Sequence, residues 1–415
     1  MTINKPTILF ITSILHNPPT GGNFLRIENS IKALSQISNL YLYSKATLES
    51  FGSQNALSFY QKYCRKFYFS PYSDPEIIER YKNRLLNILP NRSPVNEFPK
   101  IIFPFPQNDY RYILYLADKI KTDLIWLGYG NISYPLLGYI KKYSHYKVIL
   151  DTDSVWSRFI LRRLPYINNS DEYKKVKADG IQKKEEEIYG THLADVTTAV
   201  SEIDALYYRK LALSHQQIHL FPNVIDIDDY QQKPKCPKNI KKPYLYIAGS
   251  FGPGSPMNDA AYWFVRKIWP QINLRIPNIH LYIVGARSNT LDIKDSHITL
   301  TGQLASVLPI LSNADVALVP LRFESGTRFK ILEAGACNIP VISTTLGVEG
   351  LPFVNQRHIL IADDPVSFAD ATISLIRNKR KAQRLARNLH NIVVEKYNIE
   401  TLKDYGIKIL DYIMK

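Results

Sequence analysis

The chain has 415 residues, of which 45% are hydrophobic and 21% charged; this exceeds one compact domain and excludes a disordered or low-complexity protein. Its three cysteines, Cys64, Cys236 and Cys337, lie far apart without metal-ligand spacing, which excludes a disulfide framework and a cysteine zinc site. A net charge of +15 calls for an anionic partner, but the basic residues are spread over both halves, which speaks against nucleic acid.

In chain order, the first unit reads as a strand "TILFIT" (residues 7–12), a loop "HNPPTGG" and a helix over about 23–36 whose Phe24, Ile27, Ile31 and Leu34 share a face. A second strand starts at Leu40. Residues 53–108, rich in Tyr, Phe, Pro, Lys and Arg, break the rhythm. It resumes with strands at 123–128, 147–151, 195–201 and 217–223. A polar, Lys- and Pro-rich stretch at 226–243 reads as an interdomain linker. A fresh series follows: strands at 244–250, 279–286, 297–302 and 315–321, a helix through "RFKILEAGAC", a strand at 340–344, two helices, and a last amphipathic helix over about 399–414. Short apolar runs alternating with amphipathic segments predict parallel sheets covered by helices, hence two Rossmann-like α/β domains facing each other across a cleft. The expected division is 1–225, linker 226–243, 244–395, and a C-terminal helix 396–415 packing back on the first domain. Neither a secretion signal nor an apolar run long enough to span a bilayer is read, so a cytoplasmic protein is expected.

The segment "VPLRFESGTRFKILEAGACNIPVIST" (319–344) reads as strand, glycine-containing loop, helix, strand. Ser325, Gly326 and Thr327 stand where the helix opens, so their amides can meet an anion. Arg328 and Lys330 sit in the first turn, where the helix dipole disfavours cations unless a diphosphate is near; the alternative is that both extend into solvent. Glu333 on the same helix is suited to a ribose diol or to a solvated face, and periodicity does not choose. In the first domain, Gly21 and Gly22 let backbone approach a pyrophosphate or sugar, and Arg26 adds charge one turn later. Asp151 and Asp153 end a strand and suit either an acceptor hydroxyl or, for Asp153, a helix cap. His16 is a further acceptor candidate. Gly249 and Ser250, after the first strand of the second domain, offer only a backbone approach to a donor, and Gly285, Arg287, Gly302 and Leu304 lie at later strand ends, as nucleotide walls or ordinary turns. Lys82, Arg84, Arg158, Arg162 and Arg163 form basic, aromatic-interleaved stretches suited to solvent or to an anionic membrane surface.

"GTRFKILEAGACNIPVIST" resembles the signature of glycosyltransferase family 4, the retaining group with GT-B architecture. "ILHNPPTGGNFLRIENSIKALSQ", "DTDSVWSRF", "VSEIDALYYRK", "FPNVID", "GSFGPGSPMNDAAYWFVRKIWPQI" and "YIVGA" extend that resemblance, in order, over most of the chain outside 53–108. The resemblance implies that Glu333 is the second glutamate of an E-x7-E motif and binds the donor's ribose. Ser325 stands at the first glutamate's place, with Glu324 one residue early. It implies Arg328 and Lys330 as diphosphate ligands, since the family's usual Arg and Lys are absent from "AGSFGPGSPMND". It also implies retained anomeric configuration, no cofactor and no metal, with a UDP or GDP sugar as donor and an acceptor it does not identify. Gly128, Tyr129, Gly130 and Asn131 occupy the place of a family histidine. Competing readings are epimerisation of a nucleotide sugar, nucleotide or glycan binding without catalysis, and, last, charge-driven nucleic-acid binding.

Overall fold

A computed structural model describes residues 5–45, 54–70 and 107–415. Backbone contacts divide the chain into two compact units. Unit 1 comprises Met1–Ser157, Asp171–Asn223 and Ile399–Lys415; unit 2 comprises Arg158–Ser170 and Val224–Asn398. Both are Rossmann-like α/β units built on parallel sheets.

Unit 1 carries seven strands: β1 (Thr7–Thr12), β2 (Asn39–Ser44), β3 (Lys66–Phe69), β4 (Leu124–Gly128), β5 (Lys147–Asp151), β6 (Val196–Ala199) and β7 (Ile218–Leu220). Their order is β3-β2-β1-β4-β5-β6-β7, every neighbouring pair parallel. The central strand β4 is buried along its whole length, as expected of a sheet covered on both faces. Strand β3 was not expected. It lies within the aromatic, basic stretch, whose residues 71–106 are outside the described residues, as are Lys82 and Arg84.

Helix Gly22–Ile37 departs from the expected single apolar face, for every residue from Leu25 to Leu34 is buried. Helix Ile399–Ile413 packs over it, and Gly406 permits the approach: a Cβ there would stand 2.9 Å from Ile37 Cδ1. Glu28 and Lys32, buried on this helix, are satisfied in place. Glu28 pairs with Lys32 at 3.0 Å and accepts from Asn17 at 3.1 Å.

Unit 2 carries β8 (Tyr244–Ala248), β9 (His280–Val284), β10 (Ile298–Leu300), β11 (Val316–Val319), β12 (Val341–Ser343) and β13 (Leu360–Ile361), in the order β10-β9-β8-β11-β12-β13. The order reverses between β8 and β11, which makes the carboxyl ends of these two strands the switch point where open α/β sheets bind ligand. Helix Pro256–Trp263 continues as a π-helical turn, Phe264–Ile268, into helix Trp269–Arg275. Pro270 explains the turn, because it lacks the amide that an uninterrupted α-helix needs.

Two segments sit differently from the expected domains. Residues 158–170, read as part of the first domain, group with unit 2. The stretch 226–243, read as a linker, is tied into unit 2: Pro234 O accepts from Asn313 Nδ2 at 3.1 Å, and Tyr282 Oη accepts from the Lys241 amide at 3.0 Å. No helix among the described residues is long and apolar enough to cross a membrane.

Candidate functional site

The carboxyl ends of β8, β9 and β10 are stitched together through glycines. Gly249 donates its amide to Val284 O at 3.0 Å and Gly285 to Gly302 O at 3.1 Å. Gly285 has φ 125°, and a Cβ there would meet Gly249 O at 2.1 Å, so no other residue fits. Gly285 is thus fixed by backbone packing, Gly249 by the Met257 side chain, whose Cγ would stand 2.5 Å from a Cβ, and Gly302 by its left-handed φ of 69°; together they form the floor at the strand ends. Ser250 and Arg287 are exposed on it, and Leu304 is half-buried. Arg287 adopts left-handed backbone at φ 61° and reaches over Gly252, where a Cβ would lie 3.5 Å from its Nη1.

Beside this floor, the loop after β11 leads into helix Phe329–Ala336. Gly326 turns the loop at φ 77°, and Ser325 and Thr327 are buried on either side of it. Glu324 folds back, its carboxylate accepting from the Ser325 amide at 3.2 Å. Arg328 departs from expectation. It caps the helix, and its guanidinium turns inward to donate to Gly326 O and, at 3.1 Å, to Leu346 O; at 4% exposure it braces the loop instead of facing a ligand.

Lys330 and Glu333, one helical turn apart, do share a surface. The Lys330 ammonium reaches the sulfur of Met257 at 2.8 Å, and Met257 is the side chain against which Gly249 packs. Burial pushes the Lys330 pKa down to about 8, with the Glu324 carboxylate opposing that shift. Burial raises the Glu333 pKa, while a hydrogen bond from Tyr230 Oη at 3.1 Å and the nearby Lys330 lower it. Tyr230 was missed by sequence reasoning because it lies in the stretch read as a linker; a lone aromatic among lysines and prolines carries no signal of its own.

Arg158 and Arg162 are also corrected. Instead of facing solvent or lipid, both pair with Glu349: Arg162 Nη1 and Nη2 each approach a carboxylate oxygen at 2.7 Å, and Arg158 Nη2 stands at 3.4 Å. Burial pushes the Glu349 carboxyl up, but the hydrogen bonds and charge of Arg162, aided by Arg158, outweigh it and hold the pKa below its ordinary value. Arg162 Nη1 also donates to Glu324 O at 2.8 Å, which fixes the start of the loop carrying Ser325 to Thr327.

In unit 1 the candidates divide. Gly21 is exposed at the cap of helix Gly22–Ile37 with extended backbone at φ −174°, so neither it nor Gly22 is demanded by strain. His16 donates its Nδ1–H to Pro18 O at 2.7 Å and stays half-buried beside Phe24. Arg26 and Asp151 are not acceptor contacts: they form an ion pair at 2% and 0% exposure. Asp151 further accepts from Trp126 Nε1 at 3.1 Å and Thr198 Oγ1 at 2.6 Å, and Arg26 donates to Asn223 Oδ1 at 2.8 Å and Thr152 O at 3.0 Å. Fully buried and bonded through both oxygens, Asp151 serves the interior of unit 1. Asp153 remains half-buried and accepts from Trp156 Nε1 at 3.0 Å. Burial pushes its carboxyl up to about 6. Gly128 and Gly130 are set by packing, since a Cβ on them would strike Phe10 at 2.4 Å and Leu150 at 2.7 Å; Asn131 holds the Asp153 amide at 3.0 Å.

Residues 242–378 match the family of glycosyl transferases group 1, so unit 2 carries a domain of that kind. A curated relative, an uncharacterized 44.6 kDa protein in the cps region of Klebsiella pneumoniae, is 23% identical over 165 residues, which are 37% of this chain and 42% of that protein; the chain thus spans under half the length of the relative it matches. Among solved structures, the fold is shared with sucrose-phosphate synthase from Thermosynechococcus elongatus (TM-score 0.67, 16% identity, 99% of each chain). It is also shared with Alr3699/HepE of Anabaena in complex with UDP (TM-score 0.63, 11% identity, 98% of this chain and 99% of that one) and with TarM (TM-score 0.65, 10% identity, 99% of each).

Proposed function

We propose that the chain is a glycosyltransferase that moves a sugar from a nucleoside-diphosphate donor to an acceptor hydroxyl with retention of anomeric configuration. The observation that carries this reading is the pairing of Lys330 and Glu333 on one helix turn at the switch point of a unit that matches glycosyl transferases group 1. Unit 2 takes the donor. Glu333 accepts from the ribose hydroxyls, the Lys330 ammonium and the amides of Ser325 to Thr327 meet the diphosphate, and the floor at Gly249, Gly285 and Gly302 with Arg287 and Leu304 receives the base.

In the reaction the bond from the sugar's anomeric carbon to the diphosphate breaks, and negative charge grows on the departing phosphate oxygen. Lys330 and the helix-end amides stabilise that charge. The acceptor oxygen bonds to the same face of the anomeric carbon, and its proton passes to the departing phosphate. No strong base is required for this. In unit 1, His16 and Asp153 are the residues proposed for the acceptor. UDP is the first nucleotide to test, because the fold is shared with a protein solved with UDP bound.

A thermal-shift series with UDP, GDP and ADP, followed by overnight incubation with the corresponding sugars, tests the reading. One nucleotide at a hundredfold excess over its Kd raises stability by about 2.7 kcal/mol, and its sugar slowly releases the free nucleoside diphosphate. Conversion of a donor to its epimer, or no shift with any nucleotide, would contradict it.

A further inference from the structure

Starting at the loops that follow β8 and β11, unit 2 holds a cavity of about 380 Å³ whose lining is basic and aromatic. It follows the helical stretch from Ser255 to Lys267, about 18 Å at 1.5 Å per residue, so Arg266 and Lys267 stand at the end opposite Ser255. Four cations line it, Arg163, Arg266, Lys267 and Arg322, against one carboxylate, Asp259. That carboxylate is already engaged: Arg322 approaches it side-on, with Nε at 2.9 Å from Oδ2 and Nη2 on Oδ1. The cavity therefore keeps a surplus of positive charge.

The rings explain how the cations are held. The Arg322 guanidinium lies 4.4 Å from the centroid of Tyr166, whose ring also stacks on Phe323 at 5.7 Å, and Arg266 lies 4.7 Å over Tyr262. A guanidinium resting flat on a ring keeps its N–H donors at the edge, pre-oriented for a planar or tetrahedral oxyanion, at little further entropy cost. Because these ring faces are occupied by cations or by each other, a sugar or base finds little stacking surface, whereas a group with several charged oxygens finds several donors. Tyr166 and Arg163 come from residues 158–170, the segment that leaves unit 1 to join unit 2.

We propose that this cavity binds a phosphate ester or diphosphate, with Arg266 and Lys267 as its principal ligands. It does not depend on the donor reading, and a soluble sugar phosphate and a phospholipid headgroup share the chemistry required.

Calorimetric titration of pyrophosphate and glucose 1-phosphate into a Lys330→Ala variant isolates the cavity from the donor site. Binding persists in that variant, and adding Arg266→Ala and Lys267→Ala, both at exposed positions, weakens it at least tenfold while leaving the melting temperature unchanged. Equal binding with and without those two side chains, or no binding by the Lys330→Ala protein, would overturn the proposal. Co-sedimentation with phosphatidylglycerol vesicles, lost in the Arg266→Ala, Lys267→Ala protein, identifies a lipid headgroup as the source of the phosphate. Titratable binding with no co-sedimentation identifies a free phosphate ester. Failure of the donor reading would show separately, as UDP binding that Lys330→Ala does not change.

Discussion

Replacing Lys330 with alanine lowers donor turnover at least tenfold, a loss of about 1.4 kcal/mol or more in transition-state stabilisation. The effect follows from placement: the ammonium stands at the amino end of helix Phe329–Ala336 against Met257 of helix Pro256–Trp263, beside Gly249, where the proposed reaction puts the charge growing on the leaving diphosphate. Its pH dependence carries the sharper signature. With the Lys330 pKa pushed down to about 8 by burial, the cation is present below pH 8 and is lost as pH rises through that value, so the affinity for a nucleoside diphosphate falls there. In Lys330→Arg the charge persists and the fall disappears. Stability of the ligand-free protein moves the other way. Between about pH 8 and the ordinary lysine value the unfolded chain binds the extra proton, so this group makes the folded state more stable as pH rises. Measuring nucleotide Kd and unfolding midpoint on the same pH series separates the two; parallel trends would remove Lys330 from the donor site.

The second large effect lies in unit 1 and is structural. Asp151→Ala leaves the Arg26 guanidinium buried without its counter-charge, and removal of one partner from a buried pair costs about 3–5 kcal/mol. Trp126 Nε1 and Thr198 Oγ1 lose their acceptor at the same time. For a unit of this size that corresponds to a fall in melting temperature of roughly 6–20 °C. Replacing both members with apolar residues of similar volume, Arg26→Met with Asp151→Leu, is expected to cost less than the single change, because no orphan charge remains. Melting curves for the three variants decide the matter. An Asp151→Ala protein as stable as the parent would mean that the pair contributes nothing to the fold.

The same pair shows where reading the sequence ran out. Arg26, one turn past a glycine pair, and Asp151, at a strand end, each carry the local appearance of a ligand contact, and only their proximity across 125 residues reveals a structural pair. Arg162 repeats the lesson: nothing near it in the chain is acidic enough to hold it, and its partner Glu349 lies 187 residues away. Strand periodicity, by contrast, is a local property. β1 and β5 begin and end where the apolar runs do, and most other strands lie inside theirs, because a sheet covered on both faces demands uninterrupted apolar runs. β3 escaped because "KFYF" sits in a stretch whose aromatic and basic residues hide any period, and β13 because two residues are too few to show one. At the candidate site, the helix carrying Lys330 and Glu333 was legible from "GTRFKILEAGA", but the inward turn of Arg328 was not. A cation at a helix cap looks the same whether it faces ligand or, as here, the carbonyls of Gly326 and Leu346. Tyr230, the hydrogen-bond donor to Glu333, was invisible for a related reason: the contact spans 103 residues and begins in a segment that composition marks as loop.

The most direct test is a crystal structure of the protein with UDP bound. The diphosphate is expected at about 3 Å from Lys330 Nζ and the amides after Gly326, with the ribose hydroxyls on Glu333 beside Tyr230. UDP seated away from helix Phe329–Ala336, with Glu333 contacting Tyr230 alone, would contradict that placement.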